Sequence, residues 1–177
     1  NPGEMIRWFV TASDPAGRST RVPPYPDPQR SPKYSGTVVE APTVQTALSV
    51  LEWFVQSPSA ANTSSGTRGA IYYRGEFYDN VGANTHGQSS LGFPKLSYDF
   101  DLNAGDHLKW AEDAPRVDDF NLLTTYPDKA QMRNILAYEV FRDAGCAYHF
   151  VVPVRVQQNG KFFSVAHLVE NGDEHYL

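Results

Sequence analysis

A single cysteine, Cys146, is the only thiol in this 177-residue sequence, so no disulfide can form within the chain and the redox compartment stays unread. Long apolar runs are missing as well. None approaches the roughly 20 residues a bilayer-crossing helix needs, and the first residues carry no signal-peptide pattern. No membrane span is expected. Basic residues are fewer than acidic ones, 15 against 20 for a net charge of -5, and no basic run is long enough to track a phosphate backbone. Nucleic acid is therefore not an expected partner. The five histidines are scattered without metal-ligand spacing. At this length one core suffices, and residues 1–177 read as a single domain. The chain starts at Asn1 without an initiator methionine and stops at Leu177 just after a strand-like segment, which suggests a piece of a longer protein.

What the sequence does have is proline, aromatics and turn signals. Met5 to Ala12 is rich in aromatic and branched residues and reads as a strand of the main sheet. From 13 to 42, Pro15, Pro23, Pro24, Pro26, Pro28 and Pro32 lie among charged and small residues, so this stretch reads as a proline-rich loop too broken for an element. Thr43 to Ser57 places Val44, Ala47, Leu48, Leu51, Phe54 and Val55 at helical spacing behind a Thr43 cap, which predicts an amphipathic helix. Gly69 to Tyr73 and Phe77 to Ala83 read as strands joined by Arg74-Gly75. Trp110 and Val117 are expected anchors of the mixed, charged segment that runs to Asp119. Asp128 to Ala144 is the strongest helix, started by Asp128 after Pro127 and stopped by Gly145, with Met132, Ile135, Leu136 and Val140 as its inward stripe. Phe150 to Val156 and Phe162 to Val169 close the chain as a hairpin around Asn159-Gly160.

The chemistry concentrates in His86 to Leu102, HGQSSLGFPKLSYDFDL. Gly87 and Gly92 permit a tight turn, and Gln88, Ser89 and Ser90 between them offer donors suited to an anion. After Pro94, Leu96, Tyr98, Phe100 and Leu102 alternate with Lys95, Ser97, Asp99 and Asp101, a half-buried strand whose polar face Lys95 opens. A phosphate-binding P-loop is excluded, because Leu96 follows the lysine and no helix can start there. Two readings remain: a hairpin edge with a solvated lysine, or a glycine-containing turn leading to a strand lysine, the device by which kinases cover and hold ATP phosphates. Glu139 falls on or beside the inward stripe of the strong helix, where a buried carboxylate should meet a cation; a slight rotation would leave it at the rim beside Arg142 or solvent. Asp99, Asp101, Asp118 and Asp119 read as solvated rather than as metal ligands.

A meander, one prominent helix and a closing hairpin follow the element order of a protein-kinase small lobe, and Lys95 and Glu139 suit its lysine and glutamate. The blocks IYYRGEFYDNVGANTHGQSSLGFPKLSYDF, YPDKAQMRNILAYEVFRDAG and VVPVRVQQNGKFFSVAHLVENGDEHYL, in this order and spacing, resemble the spore-coat CotH kinase family of atypical secreted or envelope-associated protein kinases. The likeness is good over 69–177 and weak before. It implies an α+β, protein-kinase-like small lobe: an antiparallel β-sheet with one main packed helix and an additional N-terminal helix. It implies ATP with Mg2+ or Mn2+ as cofactors, and transfer of the γ-phosphate to Ser or Thr of secreted, coat or cell-surface proteins. By position it makes Lys95 the phosphate-contacting lysine, Glu139 its helix partner, and Gly87, Gln88, Ser89 and Ser90 the nucleotide-covering turn. His86 stands where many members have arginine, so charge there would depend on pH. The family's catalytic and metal-binding aspartates lie beyond the segment matching VENGDEHYL, so this portion alone is expected to be inactive. A competing class is a non-catalytic extracellular β-rich binding module, with Tyr72, Tyr73, Tyr78, Trp110 and Tyr126 as a carbohydrate-contacting platform. A kinase-derived scaffold that has lost catalysis is the third.

Overall fold

The two hairpin-turn signals fold as their residues dictate. In the computed structural model, which describes residues 1–24 and 33–172, Arg74 and Gly75 both take positive φ (49° and 83°), as do Asn159 and Gly160 (51° and 75°). This is the backbone a two-residue hairpin turn needs to match strand twist. The first turn joins β6 (Thr67–Tyr73) to β7 (Glu76–His86), and the second joins β10 (Val151–Gln158) to β11 (Lys161–Glu170). Around them lie β1 (Met5–Trp8), β2 (Val10–Ser13), β3 (Ser19–Val22), β4 (Ser35–Val38), β5 (Ser49–Val55), β8 (Ser97–Asp101) and β9 (Asp119–Leu123). Two α-helices, α1 (Pro58–Ala61) and α2 (Arg133–Asp143), and a 3-10 turn at Ser89–Gly92 complete the described chain. Pro26, Pro28, Pro32 and the tail from residue 173 lie outside the described residues.

The main sheet closes into a barrel in the order β10-β11-β9-β8-β7-β6-β5, every pairing antiparallel except the β5–β10 contact that shuts it. This replaces the kinase-like small lobe expected from the sequence. The expected helix over Thr43 to Ser57 does not form, and its second half is β5: Leu51, Trp53 and Val55 point into the barrel, and Phe54 and Glu52 lie on its outer face. Alternation is hidden there because both faces are covered. On the outside, Phe54 packs with Val38 and Ala70 against Met5, Tyr72 and Phe77. Inside, Trp53 meets the edges of Tyr98, Phe100 and Phe163, and Phe100 stacks on Phe120 with centroids 4.9 Å apart. The Asn159 carboxamide holds the closure, its Oδ1 accepting the Val55 N–H and its Nδ2 donating to the Val55 carbonyl, both at 2.9 Å.

Three further expectations are corrected. The Met5 to Ala12 strand does not join the barrel; it splits into β1, paired with β4, and β2, paired with β3. The segment 13–42 is not wholly irregular, because β3 and β4 form within it and β4 lies against β7. Finally, α2 forms, with Gly145 (φ 71°) beyond its end, but buries none of its residues. Met132, Leu136 and Val140 are exposed and only Ile135 is half-buried, so most of the stripe read as inward faces outward, and among the described residues no helix packs as the main one.

Candidate anion site around Lys95

Lys95 lies just before β8, where the chain turns into the strand whose Tyr98 and Phe100 enter the core. Its Nζ donates to the Val165 carbonyl at 2.5 Å and the Thr124 carbonyl at 3.4 Å. Thr124, itself buried, returns two bonds: its hydroxyl donates to the Lys95 carbonyl at 3.1 Å, and its N–H donates to Ser97 Oγ at 3.1 Å. The end of β9 is thus stitched to the start of β8, with the ammonium drawn between β9 and β11. Burial pushes the Lys95 ammonium below its usual value. No carboxylate pairs with it among the described residues. An ammonium has three donors, and two here are spent on carbonyls, so one remains for an anion.

His167 completes the cluster. It stands opposite Leu123 in the β9–β11 pairing, is 1% exposed, and its Nε2 lies 3.0 Å from the Gln131 carbonyl. Its Nδ1 has no hydrogen-bond partner among the described residues. Burial lowers its pKa first; the Gln131 carbonyl and the Asp128 charge oppose the shift, and the Lys95 charge adds to it. Asp128 is occupied locally: its carboxylate accepts the N–H groups of Ala130, Met132 and Arg133, which hold it low, and so it starts the turn into α2 rather than capping it directly.

The depressed His167 predicts a pH dependence of stability. The native state takes this proton less readily than the unfolded chain, so the histidine costs nothing well above the ordinary value of 6.5. Stability falls as pH drops through 6.5 toward the lower folded value. Urea unfolding between pH 7.5 and 5.0, conditions set in roughly half-unit steps, should show this acid loss, and His167→Gln should flatten it. Equal acid slopes in both proteins would refute the assignment.

The glycine turn forms beside this cluster but does not reach the ammonium. Gly87 has φ 103°, and a Cβ there would strike the Ser90 hydroxyl. Ser89–Gly92 is a 3-10 turn, whereas Gly92 needs no special backbone. Among the described residues, Gln88, Ser89 and Ser90 make no hydrogen bond to Lys95. His86 Nδ1 lies 2.6 Å from Asp99 Oδ1. Phe93, packed on Tyr126 at 5.4 Å, ties the turn to the segment that carries Thr124.

Glu139 is not brought to Lys95. It is exposed on α2 and lines a separate cleft of about 140 Å³ with Trp110, Tyr138 and His149, while Arg142 pairs with its neighbour Asp143. Thr124 and His167 were missed by sequence reasoning. The only signal was a histidine between Ala166 and Leu168, two inward positions of β11. The aromatic platform does not assemble either: Tyr73 and Tyr78 are buried, and Trp110 stacks on Phe150 at 4.2 Å. The aspartates considered for a metal do not gather into a ligand set: Asp99 lies on His86, Asp118 on His107, and Asp101 stands opposite Asp119, which accepts the Leu102 N–H at 3.0 Å. No group of three or more metal-ligating side chains occurs among the described residues, and none of their helices is long and apolar enough to cross a membrane.

Comparison with known families gives one match, to a family model described as CotH kinase protein, over residues 83–177. No curated protein matches the chain. The matched span starts inside β7 and takes in Lys95, α2 and His167.

Proposed function

The chain belongs to the CotH kinase protein family, and from that premise we propose that Lys95 contacts the phosphates of ATP in a protein that phosphorylates Ser or Thr of coat or cell-surface proteins. The observation that carries this reading is a half-buried ammonium that, among the described residues, lacks a carboxylate and keeps one donor unused. Such a cation is destabilised in the free protein, and a phosphate oxygen accepting its remaining hydrogen would offset that cost. ATP, when bound, supplies the phosphoryl group. Lys95 binds and orients it, while the Thr124 and Val165 carbonyls fix the ammonium's position in advance. The Gly87 to Gly92 turn lies next to Lys95 in the chain, so Gln88 and Ser89, both exposed, are the donors available to cover a nucleotide.

The divalent metal does not fit the described residues, which offer no ligand cluster for it. In this reading the described residues supply the nucleotide contact through Lys95. Calorimetric titration of ATP, with and without magnesium, into the wild-type chain and Lys95→Met tests the reading. Saturable binding weakened about tenfold or more by the substitution is expected, corresponding to about 1.4 kcal/mol. Absent binding, or equal binding by the two proteins, would remove Lys95 from the nucleotide site.

A further inference from the structure

Glu52 presents a second unmet charge, separate from the Lys95 cluster. It sits on the outer face of β5 between the inward Leu51 and Trp53, is only 9% exposed, and accepts no hydrogen bond from the described residues. Its Oε2 is sealed and unpartnered. Arg155 acts on it only through its field, since that guanidinium lies over the Phe162 ring, 4.9 Å from its centroid. The side chain lines a cleft of about 360 Å³ between the segment around Val38 to Val44, β5 and the β6–β7 turn. Val38, Val44, Val50 and Tyr72 supply apolar and aromatic wall, and Glu40 adds a second carboxylate at the exposed rim. Among the described lining residues the one cation is Arg74, which approaches Glu112 at 3.9 Å.

We propose that this cleft binds an alkylammonium group, its charged head against Glu52 and its methylene stem along Val38, Val44, Val50 and Tyr72. A buried carboxylate without donors is costly, and a cation bearing hydrogens relieves it where a neutral group cannot. An aliphatic stem explains the walls, because a charged amine on a methylene chain buries the chain along apolar surface. The Tyr72 ring on the same lining adds aromatic surface for the stem. A free amine and a lysine side chain share this chemistry.

Two-dimensional NMR on isotope-labelled protein tests the site with n-pentylammonium chloride, with 1-pentanol as the neutral isostere, and with N-acetyl-lysine methylamide. The ammonium should give saturable shifts centred on Val50, Glu52 and Tyr72, with pentanol binding at least about tenfold more weakly. Glu52→Gln should weaken the ammonium by about the same factor and leave pentanol unchanged. If the lysine derivative matches pentylammonium, the ligand is a protein side chain; if it is about tenfold weaker, a free amine. Equal binding of ammonium and alcohol, or no saturable shift at these residues, overturns the proposal. That wild-type comparison decides the matter even if Glu52→Gln fails to fold.

Discussion

Trp53→Ala should destabilise the protein by about 3–5 kcal/mol, a large share of the roughly 5–15 kcal/mol that holds a domain of this kind together. Trp53 is 1% exposed and stands where three aromatic edges meet: Tyr98 and Phe100 at 5.1 Å and Phe163 at 5.7 Å. These come from β8, across the ring from β5, and from β11, two strands away through β10. Removing the indole therefore opens a void shared by three strands that cannot collapse by moving one of them. Each edge contact also contributes about 0.5–1.5 kcal/mol beyond area burial, and all three vanish together. Urea denaturation should show a lower midpoint with an unchanged slope, and Trp53→Phe should recover part of the loss. A change below about 1 kcal/mol would mean that the barrel is not packed around this side chain.

How far the sequence was readable depends on how local each signal was. Arg74-Gly75 and Asn159-Gly160 are turns whose backbone requirement lies in the residues themselves, and both hairpins formed there. The alternation from Leu96 to Leu102 was equally local, and Tyr98 and Phe100 are buried as it demanded. β5 was misread because Phe54 is covered by the β1–β4 ribbon while Leu51 and Trp53 fill the barrel, so the apolar residues no longer alternate cleanly. The kinase-like lobe failed for a related reason. The meander and hairpin are the right local pieces, but the parallel contact between β5 and β10, about a hundred residues apart, turns them into a closed ring. Lys95 could be found from its place ahead of a strand. Its partners could not, because Thr124 and Val165 follow it by 29 and 70 residues and meet it only through the pairing of β8, β9 and β11.

Gly69→Ala should be as damaging as the loss of Trp53, although it adds a single methyl group. Gly69 lies opposite Val55 in the β5–β6 pairing, at the bulge where β6 shifts register against β7. A Cβ at this position would collide with the Phe54 carbonyl oxygen and come within 3.3 Å of its carbon and 3.5 Å of the Val55 Cα. All three are backbone atoms of a barrel strand, so no side chain can swing aside to make room. Relief requires β5 and β6 to separate, which pulls on Val55, the residue that Asn159 clamps to close the ring. Overpacking typically costs about 1–3 kcal/mol, and a backbone collision at the closure belongs at or above the upper end. Gly92→Ala is the matched control, since nothing lies within 4 Å of the added carbon; it should shift stability by no more than about 0.5 kcal/mol. The comparison also bears on the anion site. Gly69 precedes the family match at 83–177, yet the matched strands close only through β5 and β6. If Gly69→Ala lowers the urea midpoint sharply and weakens ATP binding while Gly92→Ala does not alter the midpoint, the upstream strands are part of the scaffold that holds Lys95. If Gly69→Ala is as stable as the control, the β5–β6 contact is looser than this ring requires.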